Sequence, residues 1–524
     1  MLGDFNLKNK DKYYLLFLII FSSILVMHYI NFNMKIGVQC SDVYIYLLNA
    51  LHFTGVKIQS TEFFYISPII CFLTSILFSL GLVDRIAIYI VTGAIAIIGN
   101  IGIYLLFRQY YDENLSITGA IIYTTLTLNL AWLANGTLDV PAVGMTIWFV
   151  LFTIMAIDKN PKFYRYALPL FVIGFFTRYT IILTVPALLL YYVYRNGFKI
   201  NSQDLKYIKQ GILIGIVLAI IILTVVLIMG HGQFGAATQM ANGISGKQGS
   251  QKDNAYTTDL GYYFFNLPNF ISNSHTVFEA NPVLENSTPL AWAMFAILML
   301  GLVLWIKKNE IKIEKKHALP AIIFLVAILT YTRISSVITT LIVLLGLYLL
   351  GKDSENKTGY MMLAWILSNF IFFSYYTIKV NRYILPIFPA FIFFILQSIT
   401  LIQNKIKINK NIIPIILIVL FAVQGFAFTE TFEPTDKYTS TEAISDYLIE
   451  IEPDYQDIQI GVYNIRPYRW WIGENTVGIP TSEVNKIDNS NLTYYISNTP
   501  LNDLNNYTEI KNIDKLYLYE KTGN

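Results

Sequence analysis

The feature that most constrains this chain is a series of apolar runs that recurs from Tyr13 to Phe428. The runs are roughly 17 to 25 residues long, and a helix of that length crosses the ~30 Å hydrocarbon core of a bilayer. With 55% hydrophobic and only 14% charged residues, the chain is far more apolar than a soluble domain. We therefore predict an α-helical polytopic membrane protein.

Basic residues gather in every second loop between these runs, and this pattern predicts the topology of the chain. Cytoplasmic loops are enriched in Lys and Arg, so the loops near Lys159, Arg195, Lys307 and Lys405 are assigned to the cytoplasm, together with the amino terminus. The carboxyl terminus then lies outside the cell membrane. About thirteen spans result, at residues 13–30, 86–107, 116–134, 141–157, 166–177, 179–194, 210–229, 290–306, 318–332, 334–350, 360–376, 384–402 and 411–428.

The apolar stretch at residues 66–82, "ISPIICFLTSILFSLGL", conflicts with this topology. If it crossed the membrane, every later loop would be inverted, so we predict that it lies on the outer face. An ordinary span with a weaker charge bias is the alternative.

The assigned topology divides the chain into a membrane domain, residues 1–430, and an external soluble domain, residues 431–524. Two external loops, residues 31–85 and 230–289, belong to the membrane domain. From Thr429 onward the chain has no further apolar run and carries 16 acidic against 7 basic residues. There "TSTEAISDYLIEI" is typical of a helix, and "IQIGVYN", "LTYYIS" and "KLYLYE" are typical of strands. A small α/β domain is predicted.

Charge and cysteine content exclude several kinds of partner and site. A net charge of +3 is too small to indicate nucleic-acid binding. The two cysteines, Cys40 and Cys71, encode neither a zinc framework nor a disulfide scaffold. One external disulfide between them is left open.

An acidic residue, Asp42, follows the first span in the segment "QCSDVYIYLLNALHF". Tyr46 and Asn49 follow at helical spacing, so a short amphipathic helix at the outer interface would place acid, phenol and amide on one face. One interpretation is that Asp42 only caps this helix, because Asp is a favoured N-cap residue. The other is that Asp42 belongs to a functional site.

Four more charged residues at the same membrane face favour the second interpretation: Asp139, Arg178, Arg333 and Arg382. Any one of these arginines could be an interfacial anchor. Ionisable groups at membrane depth are nevertheless costly and usually face a cavity or a partner. Two acids and three arginines together indicate a site for an anion, since guanidinium groups match phosphate oxygens bidentately.

Four segments resemble the GT-C class of membrane glycosyltransferases, in particular the protein O-mannosyltransferase and aminoarabinose-transferase group. They are an acid followed by "LLNAL" after the first span, the proline-led "SPIICFLTSILFSLGL", the "GTLDVP" segment around Asp139, and "NRYILPIFPAF" with Arg382 and Tyr383. The resemblance covers roughly residues 1–430. It implies a polyprenyl-phosphate sugar as donor.

The chain departs from this group near the first acid. The group usually has a second acid directly after the first, or a lysine before the proline-led stretch. Here Val43 follows Asp42, and Lys57 and Glu62 are the nearby substitutes. This departure weakens the expectation of a metal requirement.

The resemblance implies a role for each candidate residue. Asp42 would deprotonate the acceptor hydroxyl as it attacks the anomeric carbon, with inversion. Arg178, Arg382 and Arg333 would stabilise the leaving polyprenyl phosphate. Asp139 would orient an arginine, contact the sugar, or hold a divalent metal ion together with Asp42. The acceptor would be a glycan, a lipid or a protein.

Two other function classes remain as alternatives. A transporter or lipid-linked-sugar flippase would also contain many spans and buried arginines, although such proteins usually have interrupted helices in two related halves. A scaffold with an external binding domain is the second alternative. In the tail, Trp470 and Trp471 in "RWWIGENTVG" are interpreted as core or sugar-stacking aromatics, with core favoured.

Overall fold

The computed structural model describes most of the membrane domain and the external domain. The described residues are 7–56, 58, 68–229, 259–274, 276–277, 286–308, 315–331, 333–376, 379–433 and 440–522.

Helices make up the membrane part, and each predicted span coincides with helical structure. In chain order the helices are α1 (Asn9–Ile36), α2 (Ser41–Phe53), α3 (Pro68–Ser79), α4 (Arg85–Phe107), α5 (Glu113–Thr124), α6 (Thr127–Ala131), α7 (Asp139–Asp158), α8 (Tyr164–Thr177), α9 (Val185–Asn196), α10 (Ser202–Met229), α11 (Tyr262–Phe265), α12 (Leu267–Ile271), α13 (Pro289–Lys308), α14 (Ala318–Thr330), α15 (Ser336–Gly351), α16 (Lys357–Tyr375), α17 (Phe388–Ile406) and α18 (Ile412–Ala427). Short segments of 3-10 helix lie at Pro161–Phe163, Tyr179–Thr184, Lys315–His317, Asn381–Ile387 and Phe428–Glu430.

Seven helices in the described part of the chain are long and apolar enough to cross a membrane. The main apolar core is built from α1, α4, α5, α7, α9, α16 and α17. Around it, several helices leave large apolar side chains exposed, such as Leu213 on α10 and Leu329 on α14. Apolar surface of this extent fits a lipid environment, so the prediction of a polytopic membrane protein is confirmed.

The predicted span at residues 116–134 is two helices, α5 and α6, with a break after Thr124. At this break two side-chain amides donate hydrogen bonds to backbone carbonyl oxygens, in place of backbone N–H groups. Asn129 Nδ2 donates to Thr124 O at 3.0 Å, and Gln424 Nε2 donates to Thr125 O at 2.7 Å. Because a buried carbonyl without a donor is costly, these two amides allow the chain to turn here. The turn ends at Gly136, with φ of 85°, and leads into α7.

Helix α2 forms where the spacing after the first span predicted a helix. Its N-cap is Cys40, so Asp42 lies in the first turn and caps nothing with its side chain. The capping interpretation of Asp42 is therefore wrong. Helix α3, from the stretch predicted to lie on the outer face, packs on α2 and α4. Its 12 residues extend only ~18 Å.

The external domain is a five-stranded mixed sheet with helices. Its elements are α19 (Thr441–Ile451), β3 (Ile460–Val462), α20 (Ile465–Trp471), β4 (Thr476–Gly478), α21 (Val484–Asp488), β5 (Tyr494–Ser497), β6 (Tyr507–Ile513) and β7 (Leu516–Lys521), after a two-stranded pair of β1 (Thr276–Val277) and β2 (Phe432–Glu433). The strand order is β4-β3-β5-β7-β6; β3 pairs in parallel with β4 and β5, and β7 runs antiparallel to β5 and β6. The predicted α/β class, helix and three strands are confirmed, and β4 and β6 were not predicted.

The external domain docks on the outer helices through α20. Trp470 stacks on Phe78 of α3 with ring centroids 5.9 Å apart. The Arg85 guanidinium lies 5.4 Å from the ring of Trp471 and forms an ion pair with Glu442 of α19. Helix α20 also packs directly on α2. Both tryptophans therefore pack at the domain interface, in agreement with the core interpretation.

Candidate active site

Four charged side chains meet at one point because each lies at an end or break of a helix. Asp42 lies in the first turn of α2, and Asp139 is the first residue of α7. Arg178 lies in extended backbone between α8 and the turn at Tyr179–Thr184, and Arg382 lies in the 3-10 turn before α17. Polar side chains at such ends can converge without interrupting the apolar packing of the helices.

Asp139 lies between the two arginines. Its Oδ1 is 3.0 Å from Arg178 Nη1, and its Oδ2 is 3.6 Å from Arg382 Nε. Arg382 also donates from Nη2 to Asp42 Oδ2 at 2.8 Å and from Nη1 to Cys40 Sγ at 3.1 Å. One carboxylate therefore holds two guanidinium groups in the same place, and the second carboxylate pairs with one of them.

Aromatic rings complete the surroundings of both guanidinium groups. The Arg382 carbon Cζ lies 4.9 Å from the ring of Trp132 and 5.9 Å from that of Tyr383, and Arg178 Cζ lies 5.2 Å from the ring of Tyr383. A cation held over an aromatic face in a desolvated site gains up to ~2 kcal/mol. These rings orient the arginines without consuming their hydrogen-bond donors.

The degree of burial differs between the two carboxylates. The Asp139 side chain is 3% exposed, whereas that of Asp42 is 29% exposed. Asp139 is thus enclosed between the arginines, and Asp42 is the carboxylate that a bound molecule could reach.

Burial and charge act in opposite directions on the pKa of Asp42. Burial raises the pKa of this carboxyl, and the Arg382 guanidinium lowers it, with further lowering by Arg466 and Arg178. The net result is a pKa below the ordinary value, so Asp42 is ionised at neutral pH. Burial also raises the pKa of the neighbouring Cys40 to about 11, so Cys40 remains a neutral thiol there.

Three of the four charged groups border a cavity of about 400 Å³, and Asp139 lies behind the arginines. Asp42, Arg178 and Arg382 form its charged end together with Tyr46 and Tyr383. The remaining wall is mostly apolar. It is formed by Leu138, just before α7, and by the Tyr179–Thr184 turn, α9, α15 and α16. The residues of this wall are Leu138, Tyr179, Thr180, Ile182, Leu183, Pro186, Ser336, Val337, Thr340, Leu341, Ser368, Phe372, Phe373 and Tyr376. Ile182, Val337 and Leu341 are 41%, 44% and 60% exposed, so this wall borders the lipid-facing surface.

The other residues predicted for the site lie elsewhere. Asn49 is buried on α2, one turn beyond Tyr46, and does not line the cavity. Arg333 is exposed in the turn before α15 and does not line it either. Lys57 and Glu62 lie outside the described residues.

The carboxylates were also considered as metal ligands. In the described part of the chain no group of three His, Cys, Asp or Glu side chains could hold a metal ion. Asp42 and Asp139 are both paired with guanidinium groups, and these already supply the positive charge that a cation would bring. The donor set therefore does not fit a metal ion.

Sequence reasoning missed four residues at or near the site. Cys40 contacts Arg382, Ser336 and Thr340 line the cavity, and Arg466 acts on Asp42 from the external domain. The sequence contains no signal for them. Single cysteines, hydroxyl residues within apolar runs and arginines in soluble domains occur in most membrane proteins without any role in a site.

Residues 66–228 match the family model described as dolichyl-phosphate-mannose-protein mannosyltransferase. No curated protein sequence matches the chain.

Among solved structures, two forms of ArnT from Cupriavidus metallidurans align over nearly the whole chain. The apo form has a TM-score of 0.60 at 10% identity, and the form bound to undecaprenyl phosphate has a TM-score of 0.56 at 11% identity. Each alignment covers 96% of this chain and 97% of ArnT. This chain has the GT-C fold.

A second GT-C structure is more distant. The apo oligosaccharyltransferase of Archaeoglobus fulgidus aligns with a TM-score of 0.50 at 11% identity, over 93% of this chain and 70% of that protein. The resemblance inferred from "GTLDVP" and "NRYILPIFPAF" is confirmed at the level of the GT-C fold.

Proposed function

We propose that this protein is an integral membrane glycosyltransferase that moves a sugar from a polyprenyl-phosphate donor to an extracytoplasmic acceptor, with inversion. The observation that carries the proposal is the composition of one cavity. Its charged end holds two arginines and an accessible carboxylate, and its apolar wall reaches the lipid-facing surface. A donor with a sugar, a phosphate and a lipid tail requires this combination. The family-model match and the GT-C fold support the same class.

The two arginines bind the donor phosphate. Arg178 and Arg382 are brought together by Asp139, which offsets the repulsion between two adjacent cations. Guanidinium groups pair bidentately with phosphate oxygens, and fixed cations stabilise the negative charge that develops on the leaving phosphate. The polyprenyl tail lies along Ile182, Val337 and Leu341, toward the bilayer.

Asp42 is the general base. When the donor phosphate binds, it competes for the Arg382 guanidinium that now pairs with Asp42 at 2.8 Å. Loss of that partner raises the pKa of Asp42, because the nearest charge that favours its ionised form is shared with the phosphate. The base therefore becomes stronger once the donor is in place.

The transfer is a single displacement at the anomeric carbon. The acceptor oxygen forms a bond to this carbon, its proton passes to Asp42, and the bond between the carbon and the phosphate oxygen breaks. The polyprenyl phosphate departs as an anion held by Arg178 and Arg382. Base catalysis of this kind contributes ~10²- to 10⁴-fold to the rate. Direct displacement inverts the configuration of the sugar.

The acceptor approaches from the outer side, where the external domain covers α2. Tyr46 and Tyr383 line the charged end of the cavity and are placed to contact the sugar. The amino terminus lies in the cytoplasm, and the external domain lies outside. The acceptor is a glycan, a lipid or a protein that carries a hydroxyl group.

The decisive experiment compares Asp42→Asn with wild type in membranes supplied with polyprenyl-phosphate sugars radiolabelled in the sugar. We expect label transfer to fall by at least ~10²-fold in Asp42→Asn while donor binding is retained. Asp446→Asn, on the exposed surface of α19, is the matched control and should transfer normally.

Two results would contradict the proposal. Equal transfer by Asp42→Asn would remove this carboxylate from the chemistry. If wild type bound donors but transferred sugar from none of them, the flippase alternative would be favoured instead.

A further inference from the structure

Helix α15 begins at the wall of the cavity. Ser336, Val337, Thr340 and Leu341 line the cavity from its first turns, at positions that share one face of a helix. Val337 and Leu341 are also exposed on the outside of the helix bundle. This face of α15 therefore separates the cavity from lipid.

The Ser336 hydroxyl is an unsatisfied polar group on this face of α15. Ser336 is 1% exposed, and its Oγ has no hydrogen-bond partner among the residues that the structure describes. Two other hydroxyls that line the cavity are satisfied internally. Thr340 Oγ1 donates to Ser336 O at 2.8 Å, and Ser368 Oγ donates to Leu183 O at 2.6 Å. A buried hydroxyl without a partner is unfavourable, so Ser336 is a position where a bound molecule would supply the missing partner.

The start of α15 favours an anionic partner. The helix has 16 residues, and the first N–H groups of a helix carry partial positive charge and lack intrahelical acceptors. Ser335 accepts a bond from Ile338 N–H and so fixes where the helix begins. Oxygen anions bind at helix N-termini of this kind.

We propose that Ser336 and the first turn of α15 form a phosphate subsite on the lipid side of the cavity, in addition to Arg178 and Arg382. The Ser336 hydroxyl donates to a phosphate oxygen, and the adjacent apolar residues Val337 and Leu341 contact the first part of an attached lipid chain. The ligand is thus a lipid phosphate, namely the phosphate group of the donor and the polyprenyl monophosphate that remains after transfer. The identity of that lipid rests on the proposed function. The new element is α15, which contacts the phosphate from the bilayer side.

The test measures binding to the purified full-length protein in nanodiscs, with polyprenyl monophosphate, neutral polyprenol and inorganic phosphate as separate probes. Ser336→Ala should weaken the binding of polyprenyl monophosphate about tenfold or more, since a hydrogen bond to a charged group is lost. Binding of polyprenol should not change. Thr339→Val is the matched control, because it removes a hydroxyl of the same helix that already donates to Ser335 O and does not line the cavity, and it should bind within about twofold of wild type.

Thermal unfolding without ligand separates a binding role from a structural one. Ser336→Ala should unfold at the same temperature as wild type or a higher one, because it removes an unsatisfied polar group. A lower unfolding temperature would show that the hydroxyl has a partner in the protein, and the inference would be overturned. Unchanged binding of polyprenyl monophosphate, or its absence in wild type, would overturn it as well.

The remaining probes identify the source of the phosphate. If inorganic phosphate binding depends on Ser336 while polyprenyl monophosphate binding does not, the lipid assignment is wrong. If wild type binds polyprenyl monophosphate through Ser336 but transfers no sugar in the radiolabel assay, the proposed function fails and the subsite stands. The two conclusions can therefore fail separately.

Discussion

At the scale of single residues, Asp139 decides whether the site can exist. It is 3% exposed and faces both Arg178 and Arg382. Without its charge, two guanidinium groups would be buried beside each other with only Asp42 to compensate. The acid in "GTLDVP" is therefore first a positioning residue for the arginines.

Replacement of Asp139 by Asn should destabilise the protein by ~3–5 kcal/mol, which is the usual effect of leaving a buried charge without its partner. Thermal unfolding in detergent or nanodiscs measures this change. Asp446→Asn, an exposed substitution, should leave the unfolding temperature unchanged. If Asp139→Asn is as stable as wild type, the two arginines do not depend on this carboxylate.

Arg382 and Arg333 provide a second contrast at the residue scale. Arg382 binds Asp42 and Cys40 through two different nitrogens while it stacks on Trp132, and lysine offers neither the planar fork nor the stacking. Arg382→Lys should therefore reduce sugar transfer more than about tenfold. Arg333→Lys keeps the charge at an exposed position and should transfer within about twofold of wild type. Equal losses in the two variants would contradict the separate positions that the structure gives them.

At the scale of elements, the short helix α3 determines how the chain crosses the membrane. Its 12 residues extend ~18 Å, which is less than the ~30 Å of a hydrocarbon core. Helices α8 and α14, which are predicted spans, have only 14 and 13 residues, so length alone does not decide the topology; the positive-inside pattern predicts that both ends of α3 face the outer side.

Cysteine labelling tests this topology. In a protein with Cys40 and Cys71 replaced by Ser, Val83→Cys in the exposed turn between α3 and α4 should react with an impermeant thiol reagent added outside. Lys159→Cys, in a loop assigned to the cytoplasm, should react only after the membrane is permeabilised. Labelling of position 83 from the cytoplasmic side alone would mean that α3 crosses the membrane and that every later loop is inverted.

At the scale of the whole molecule, the external domain packs beside the candidate site and contributes a charge to it. Helix α20 packs on α2 through Trp470 and Trp471, and Arg466 lies one helical turn before Trp470. The Arg466 charge acts on Asp42 and lowers its pKa. The guanidinium groups that lower the pKa of Asp42 thus come from both domains: Arg382 and Arg178 lie in the membrane domain, and Arg466 lies in the external domain.

This arrangement predicts a pH effect from a distant substitution. Arg466 lowers the pKa of Asp42, so Arg466→Gln should raise that pKa. Sugar transfer requires ionised Asp42. As the solution is acidified, the variant should therefore lose activity at a higher pH than wild type does. The acid limb of the pH profile for sugar transfer should therefore shift upward, while Arg466→Lys should retain the wild-type profile.

Arg469→Gln is the control for this effect. Arg469 lies on the same helix but pairs with Glu474 within the external domain, 3.5 Å away. It should leave the acid limb in place. The same shift in both variants would indicate a general disturbance of α20 rather than a charge effect on Asp42.

Much of the architecture was predictable from the sequence because it follows from local patterns. Apolar runs of membrane-spanning length gave the helices, the basic loops gave a topology, and the alternation in "LTYYIS" and "KLYLYE" gave two strands of the external sheet. Asp42, Asp139, Arg178 and Arg382 were recognisable as a set because charged residues are rare in such surroundings and their cost limits where they occur. The break between α5 and α6 was not predictable, since distant Gln424 helps to satisfy it.

The sequence by itself determined the helices, the membrane class and the charged residues that required an explanation. Only the tertiary structure decided which of those residues meet. Asp42 pairs with a residue 340 positions away, Arg333 is excluded from the cavity, and Ser336 and Arg466 enter the site without any sequence signal. The physical reason is that periodicity and hydropathy are properties of neighbouring residues, whereas a site built from helix ends depends on how separate helices pack against one another.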